Sequence, residues 1–214
     1  MSKVAIKGNA SGTGTFTLEA PNSNTDRTLV LPDEAGTVLT SGTDVANFPS
    51  GFANGITEID SWRINTNLSP TVDSITPFTA NFERDDTDLN GKLGTGMTES
   101  SGVFTFPSSG YWEVNAYMTA YDSGGNVIEV FLYIDVSTDS GSNYDVAAVA
   151  GSSIASISGF PRSFTNAKKF FKVTNASTTR VRFKYYFSDQ TPVIEAGGGN
   201  QNNTYFTFVK MAEV

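Results

Sequence analysis

The stretch IEVFLYIDV, residues 128–136, decides the class of fold. Ile128, Val130, Leu132, Ile134 and Val136 fall on one side of an extended chain, and Glu129, Phe131, Tyr133 and Asp135 on the other. That period of two is the mark of a strand with one buried face. RVRFKYYF, residues 180–187, repeats the pattern. Val181, Phe183, Tyr185 and Phe187 point inward, and Arg180, Arg182, Lys184 and Tyr186 point outward.

Working outward from these two runs, further strands are predicted at 58–66, 78–84, 102–106, 111–121, 144–155, 164–173 and 203–212. Turns rich in Gly, Ser, Asp and Asn separate them, and no helical period intervenes. Nine or ten short antiparallel strands over residues 56–214 imply a sandwich of the jelly-roll kind. Residues 1–47 differ in composition. They hold a single aromatic, Phe16, and read as short β runs broken by turn residues. So short a segment cannot close a core unaided, which predicts an attachment or stem segment ordered by packing on copies of itself or on a partner. Residues 48–55 read as the linker.

Composition removes whole classes of chemistry. The 214-residue chain has neither Cys nor His. Disulfides, thiolate nucleophiles, Cys/His zinc sites and Ser-His-Asp triads are therefore excluded. With 16 Phe, 8 Tyr and 2 Trp it carries far too much aromatic surface for a disordered chain. No run approaches a membrane span, and the amino terminus has no apolar stretch of signal-peptide length. Assembly in a cytoplasm is the expectation, and the sequons at Asn9, Asn67, Asn175 and Asn202 read as accidents of composition. The net charge of −8 argues against nucleic acid. The charge is segregated: no acidic residue occurs from Val146 to Ser188, where seven Lys and Arg lie.

Some strands are aromatic on both faces. Tyr111, Tyr117 and Tyr121 oppose Trp112, Val114, Ala116 and Met118, and Tyr205 opposes Phe206 and Phe208. Apolar residues on a second face point to a subunit interface, the alternative being ordinary surface scatter.

GVFTFPSSGYWEV, residues 102–114, resembles the central motif of the trimeric jelly roll of the complement globular-head and tumour necrosis factor group. EIDSWRINTN (58–67) resembles that group's first strand, NFERDDTDLNGKLGTGM (81–97) its insertion before the motif, and NTYFTFVKMAEV (203–214) its last strand at the trimer centre. The resemblance implies an all-β parallel homotrimer whose ten-stranded jelly-roll head spans 56–214. Tyr111, Phe206 and Phe208 would be its interface candidates. Residues 4–42, with GTGTFTL, an Ala-Pro pair and LPDEAGT, are similar to a β segment of bacteriophage tail-fibre and virion proteins. Together the two likenesses imply a virion structural protein, a trimeric fibre or knob for host attachment. Residues 1–47 would then bind other virion proteins. The alternative is a decoration protein that stabilises the particle without a receptor of its own.

Three constellations bear on ligands. Asp86, Asp88 and Asn90, followed by Gly91, reproduce the first half of a calcium loop. The bidentate Glu is missing, since position 97 is Met, and an Asx-rich turn is the plainer reading. No cofactor is required. Lys168 and Lys172, with Arg180, Arg182 and Lys184, would form an anion- or glycan-binding patch on a host surface if their strands met; otherwise cross-strand carboxylates answer them. Pairs among Glu83, Asp85 and Asp88, or Asp135 and Asp139, are the carboxylates that a glycoside hydrolase would need. They fall in turns or on solvent faces, so a non-enzyme is expected.

Overall fold

A computed structural model describes residues 11–15, 17, 24–26, 55–85, 91–122, 125–157, 159, 161–190, 192–198 and 201–214. The chain divides into two units, Met1–Thr43 and Asp44–Val214. Most of residues 1–47, and all of the 48–55 linker but Gly55, lie outside the described residues.

The second unit is all-β. Its strands are β1 (Glu58–Ile64), β2 (Thr76–Pro77), β3 (Phe82–Arg84), β4 (Thr98–Ser100), β5 (Val103–Thr105), β6 (Gly110–Tyr121), β7 (Val127–Ser137), β8 (Asp145–Ile154), β9 (Arg162–Val173), β10 (Arg180–Phe187), β11 (Val193–Ile194) and β12 (Tyr205–Ala212). All nine predicted runs are present; the short β2, β4 and β11 carry too few residues to show a period. Two antiparallel six-stranded sheets form the sandwich. In the first, β6 lies between β9 on one side and β12 with β11 on the other, and β1 and then β3 follow. In the second, β10 lies between β7 and the pair β5 and β2, with β8 and β4 at the edges. The chain crosses repeatedly between the sheets, while β4–β5 and β7–β8 stay in one layer as hairpins.

The core fills the space between the sheets. From the first come Ile64, Trp112, Val114, Met118, Phe206 and Phe208, and from the second Val130, Leu132, Ile134, Val181, Phe183 and Phe187, all buried. Phe206 stacks on Phe183 across the gap with centroids 4.2 Å apart. Phe78, Phe82 and Phe104 pack around that pair. Phe206 and Phe208, expected at a trimer centre, are core residues instead. Strand parity assigns them, with Trp112 and Val114, to the inner face, and leaves Tyr205, Thr207 and Val209 outside.

The motif at 102–114 earns its residues locally. Phe104, Phe106 and Trp112 are buried, and Trp112 Nε1 donates to the Ser108 carbonyl at 3.2 Å. Gly102 has φ +81, and a Cβ there would sit 1.8 Å from the Phe78 carbonyl oxygen, so only glycine fits. The predicted alternation in 128–136 fails at its start. A register shift between Val127 and Val130 turns Val127 inward and Ile128 out, to 70% exposure. An extra residue in one strand inverts every side chain beyond it. At the other end Val136 is only half-buried, and Asp135 is buried.

Phe206→Ala is expected to lower the free energy of unfolding by about 3–5 kcal/mol, as for aromatic truncation in a packed core. Urea unfolding of the full chain measures this.

Candidate functional site

The structure sorts the basic residues onto two different sheets. Lys168 and Lys172 lie on β9 in the first sheet, and Arg180, Arg182 and Lys184 on β10 in the second. The single patch that would require β9 beside β10 therefore does not form: the strands are consecutive in sequence but belong to opposite layers. Lys168 Nζ reaches Glu113 at 2.6 Å, on the neighbouring strand β6. Arg182 and Lys184 share one oxygen of Asp135 at 3.1 and 2.8 Å, and stand over the rings of Tyr144 and Tyr133. Arg180 is spent on the carbonyls of Ala176, Ser177 and Thr179. Lys172 stands 5.7 Å over the ring of Tyr111. Glu113 thus answers Lys168 and Asp135 answers Arg182 and Lys184, while Arg180 turns to carbonyls and Lys172 to a ring.

Among the described residues the candidate carboxylates are each held by other groups. Glu83 is tied to Arg63 at 2.9 Å. Asp135 is not on a solvated face; it is buried beneath its two cations. Asp139 closes the turn after β7, where Ser137 Oγ donates at 2.7 Å and Asn143 donates from its main chain and its amide. Those donors hold Asp139 down to about 2, the reverse of what a general acid needs. Glu99, considered as a distant calcium ligand, accepts from Gly102 N at 2.7 Å and closes the β4–β5 hairpin. Asp86, Asp88 and Asn90 lie outside the described residues. Among the described residues no cluster of three metal-ligating side chains occurs.

Sequence reasoning missed the most heavily bonded carboxylate. Asp60 is 1% exposed and accepts from Trp62 Nε1, Met97 N, Ser61 N and both Arg84 Nε and Nη2. It anchors residues 96–97 to β1, and Glu58 beside it accepts from Gly96 N. The signal was available: Asp60 sits in the inward series with Trp62 and Ile64, and a carboxylate there must have been given partners.

One surface open to a ligand or partner is the outer face of the first sheet. Tyr117 and Tyr205 face each other across β6 and β12 and stack at 4.4 Å with planes 13° apart. Burial, with Tyr117 close by, pushes the Tyr205 phenol up. A shallow depression of about 290 Å³ borders the pair, lined also by Phe164, Asn166 and Asn202. On β9, directly opposite outward residues of β6, Phe164 and Phe170 are 75% and 60% exposed. Tyr111, an interface candidate from the sequence, is on this face and exposed. Glu113, Asn115 and Lys168 form a polar strip between the aromatics.

Lys168 and Asn115 both donate to Glu113, the Lys168 bond being the stronger influence, and hold its carboxyl below the ordinary range. Folded-state values depressed in this way add stability above the unfolded pKa, and it is lost as pH falls through the folded one. Stability is therefore expected to fall between the ordinary Asp value of 3.8 and about 2 on account of Asp139. Acid unfolding of the parent beside Asp139→Asn measures that share; an identical profile for the two would contradict it.

No family model matches the sequence, and no curated protein matches it. Among solved structures, Eiger TNF from S. frugiperda is similar over 75% of this chain and 95% of its own, with a TM-score of 0.52 and 13% identity. Murine APRIL at pH 8.0 covers 72% of this chain and 98% of its own, with a TM-score of 0.48 and 8% identity. The Eiger likeness shows a TNF-like jelly-roll fold for residues of the second unit, and at this identity it speaks for the fold alone.

Proposed function

We propose that the chain is a non-enzymatic structural protein of a bacteriophage virion, a homotrimeric fibre or knob that presents jelly-roll heads for attachment to the host surface. The observation that carries the oligomeric part is the outer face of the first sheet. Its Tyr117–Tyr205 stack and the exposed Phe164, Phe170 and Tyr111 make an aromatic surface with a polar strip, the composition of a subunit interface. Threefold closure is what the resemblance of residues 102–114 implies, and a symmetric oligomer buries such a patch on every copy. The virion role is supported by the likeness of residues 4–42 to phage fibre segments. Residues 1–47 would hold the particle and the heads would face the host.

Attachment by such a device works through number. Three weak contacts on one rigid head raise the effective concentration of each, so a modest single-site affinity becomes firm binding. The chemistry left on the outside suits that role: paired ions, aromatics and hydroxyls.

The full chain is expected to give a solution mass of about 69 kDa by light scattering, three times the 22.9 kDa chain. Phe170→Glu, at an exposed position, is expected to leave the circular dichroism spectrum unchanged and to shift the mass toward the monomer. A monomeric parent would end the trimeric reading, and a trimer indifferent to Phe170→Glu would move the interface elsewhere.

A further inference from the structure

Among the described residues, Arg63, Arg84, Arg162 and Arg182 each meet a carboxylate within 3.1 Å, and Arg180 meets none. Its partners are three main-chain carbonyls of the turn between β9 and β10. Nη1 donates to Ala176 and Thr179 at 3.3 and 2.9 Å, and Nη2 to Ser177 at 2.9 Å. Carbonyls orient a guanidinium but leave its charge unanswered. The turn after β7 bonds to this one through Ser140 N and the Thr178 carbonyl, but its Asp139 is turned to Ser137 and Asn143.

The turn that holds Arg180 is itself braced. The Asn175 carbonyl accepts from Thr178 N, Thr179 N and Thr179 Oγ1, and Asn175 Oδ1 accepts from Ser177 N and Oγ. The guanidinium is therefore held before any ligand arrives, which lowers the ordering cost of binding. Of its five N–H groups, both on Nη1 and one on Nη2 are engaged. Nε–H and one N–H of Nη2 remain, on the two nitrogens whose fork matches a carboxylate with parallel hydrogen bonds. Arg180 borders a shallow depression of about 520 Å³ between the 106–109 loop and the turn, a volume in the range of small-molecule sites. Thr105, Ser109 and Thr174 bring hydroxyls to it, Phe106 and Pro107 an apolar wall, and no acidic residue lines it among the described residues.

A lone cation with a two-donor fork balances one negative charge. Hydroxyls beside it suit a ligand that carries hydroxyls of its own, and the apolar wall suits the C–H face of a ring. We propose that this depression binds an acidic sugar, a uronic acid of a surface polysaccharide, with the Arg180 fork on its carboxylate and Thr105, Ser109 and Thr174 on its hydroxyls. The anion site stands on the geometry, and the choice of a sugar rests on the attachment reading. Lys168, Arg182 and Lys184 take no part, being answered by Glu113 and Asp135.

The test titrates the full chain with sodium glucuronate at fixed ionic strength, followed by saturation-transfer NMR, with glucose and sodium sulfate as comparisons. Saturable binding of glucuronate is expected, with a Kd on the order of 1 mM. Glucose is expected not to bind, and sulfate to bind about tenfold more weakly or less. Arg180→Lys keeps the charge and loses the fork, and is expected to weaken glucuronate about tenfold. Thr174→Trp, at an exposed position, leaves Arg180 in place and fills the depression; it is expected to abolish binding with an unchanged circular dichroism spectrum. A parent that does not bind glucuronate overturns the assignment, as does undiminished binding by either variant. A parent that takes glucose or sulfate as well as glucuronate overturns the acidic-sugar class. Binding of the free sugar is read apart from the solution mass, so the trimeric reading and this one fail separately.

Discussion

The ring of Phe206 on the ring of Phe183 joins the two sheets at their centres, since β12 and β10 are each flanked by strands on both sides. Everything outward of this stack is set by it. With Phe206 and Phe208 turned in, the residues between them in the chain must turn out, and Tyr205 meets Tyr117 on the opposite surface of the same sheet. The inner face is spent on closing the sandwich, and the outer face of the first sheet carries the aromatics left over. The second sheet carries Arg182 and Lys184 gathered over Asp135 on its outer face, with the rings of Phe131, Tyr133 and Tyr186 beside them.

Much of this was legible in the sequence, because an antiparallel sandwich writes its faces into a period of two. The RVRFKYYF run reads inside and outside correctly at every position. The IEVFLYIDV run fails at Ile128, where an inserted residue changes parity, and an insertion leaves no mark in a single strand read alone. The placement of Phe206 and Phe208 failed for another reason. Tyr205 and Phe206 are both aromatic, so composition does not say which side faces the core. That depends on which strand lies opposite, and β10 supplies Phe183.

Topology was the second limit. Lys168 and Lys172 are close in sequence to Arg180 and Arg182, but the chain crosses between β9 and β10 to the opposite layer, so here nearness along the chain is separation in space. The carboxylates show the converse. Asp60 meets Met97 N, and Asp135 meets Arg182, across 37 and 47 residues. Only the folded chain shows that Asp60 is saturated with donors, while Asp135, paired through Oδ2 to two cations, and Asp85 each keep a bare oxygen. A charged residue at an inward or covered position signals that partners are needed, but not which ones.

We propose that the aromatic outer face of the first sheet is covered by further copies of the chain, while the outer face of the second stays open to solvent. Hydroxyl-radical footprinting of the assembled protein, read residue by residue, tests it most directly. Phe164, Phe170 and Tyr111 are expected to be protected at concentrations that support assembly and oxidised on dilution, while Phe131 and Tyr186 on the second sheet react equally in both. Equal oxidation of the two faces at every concentration would contradict the account.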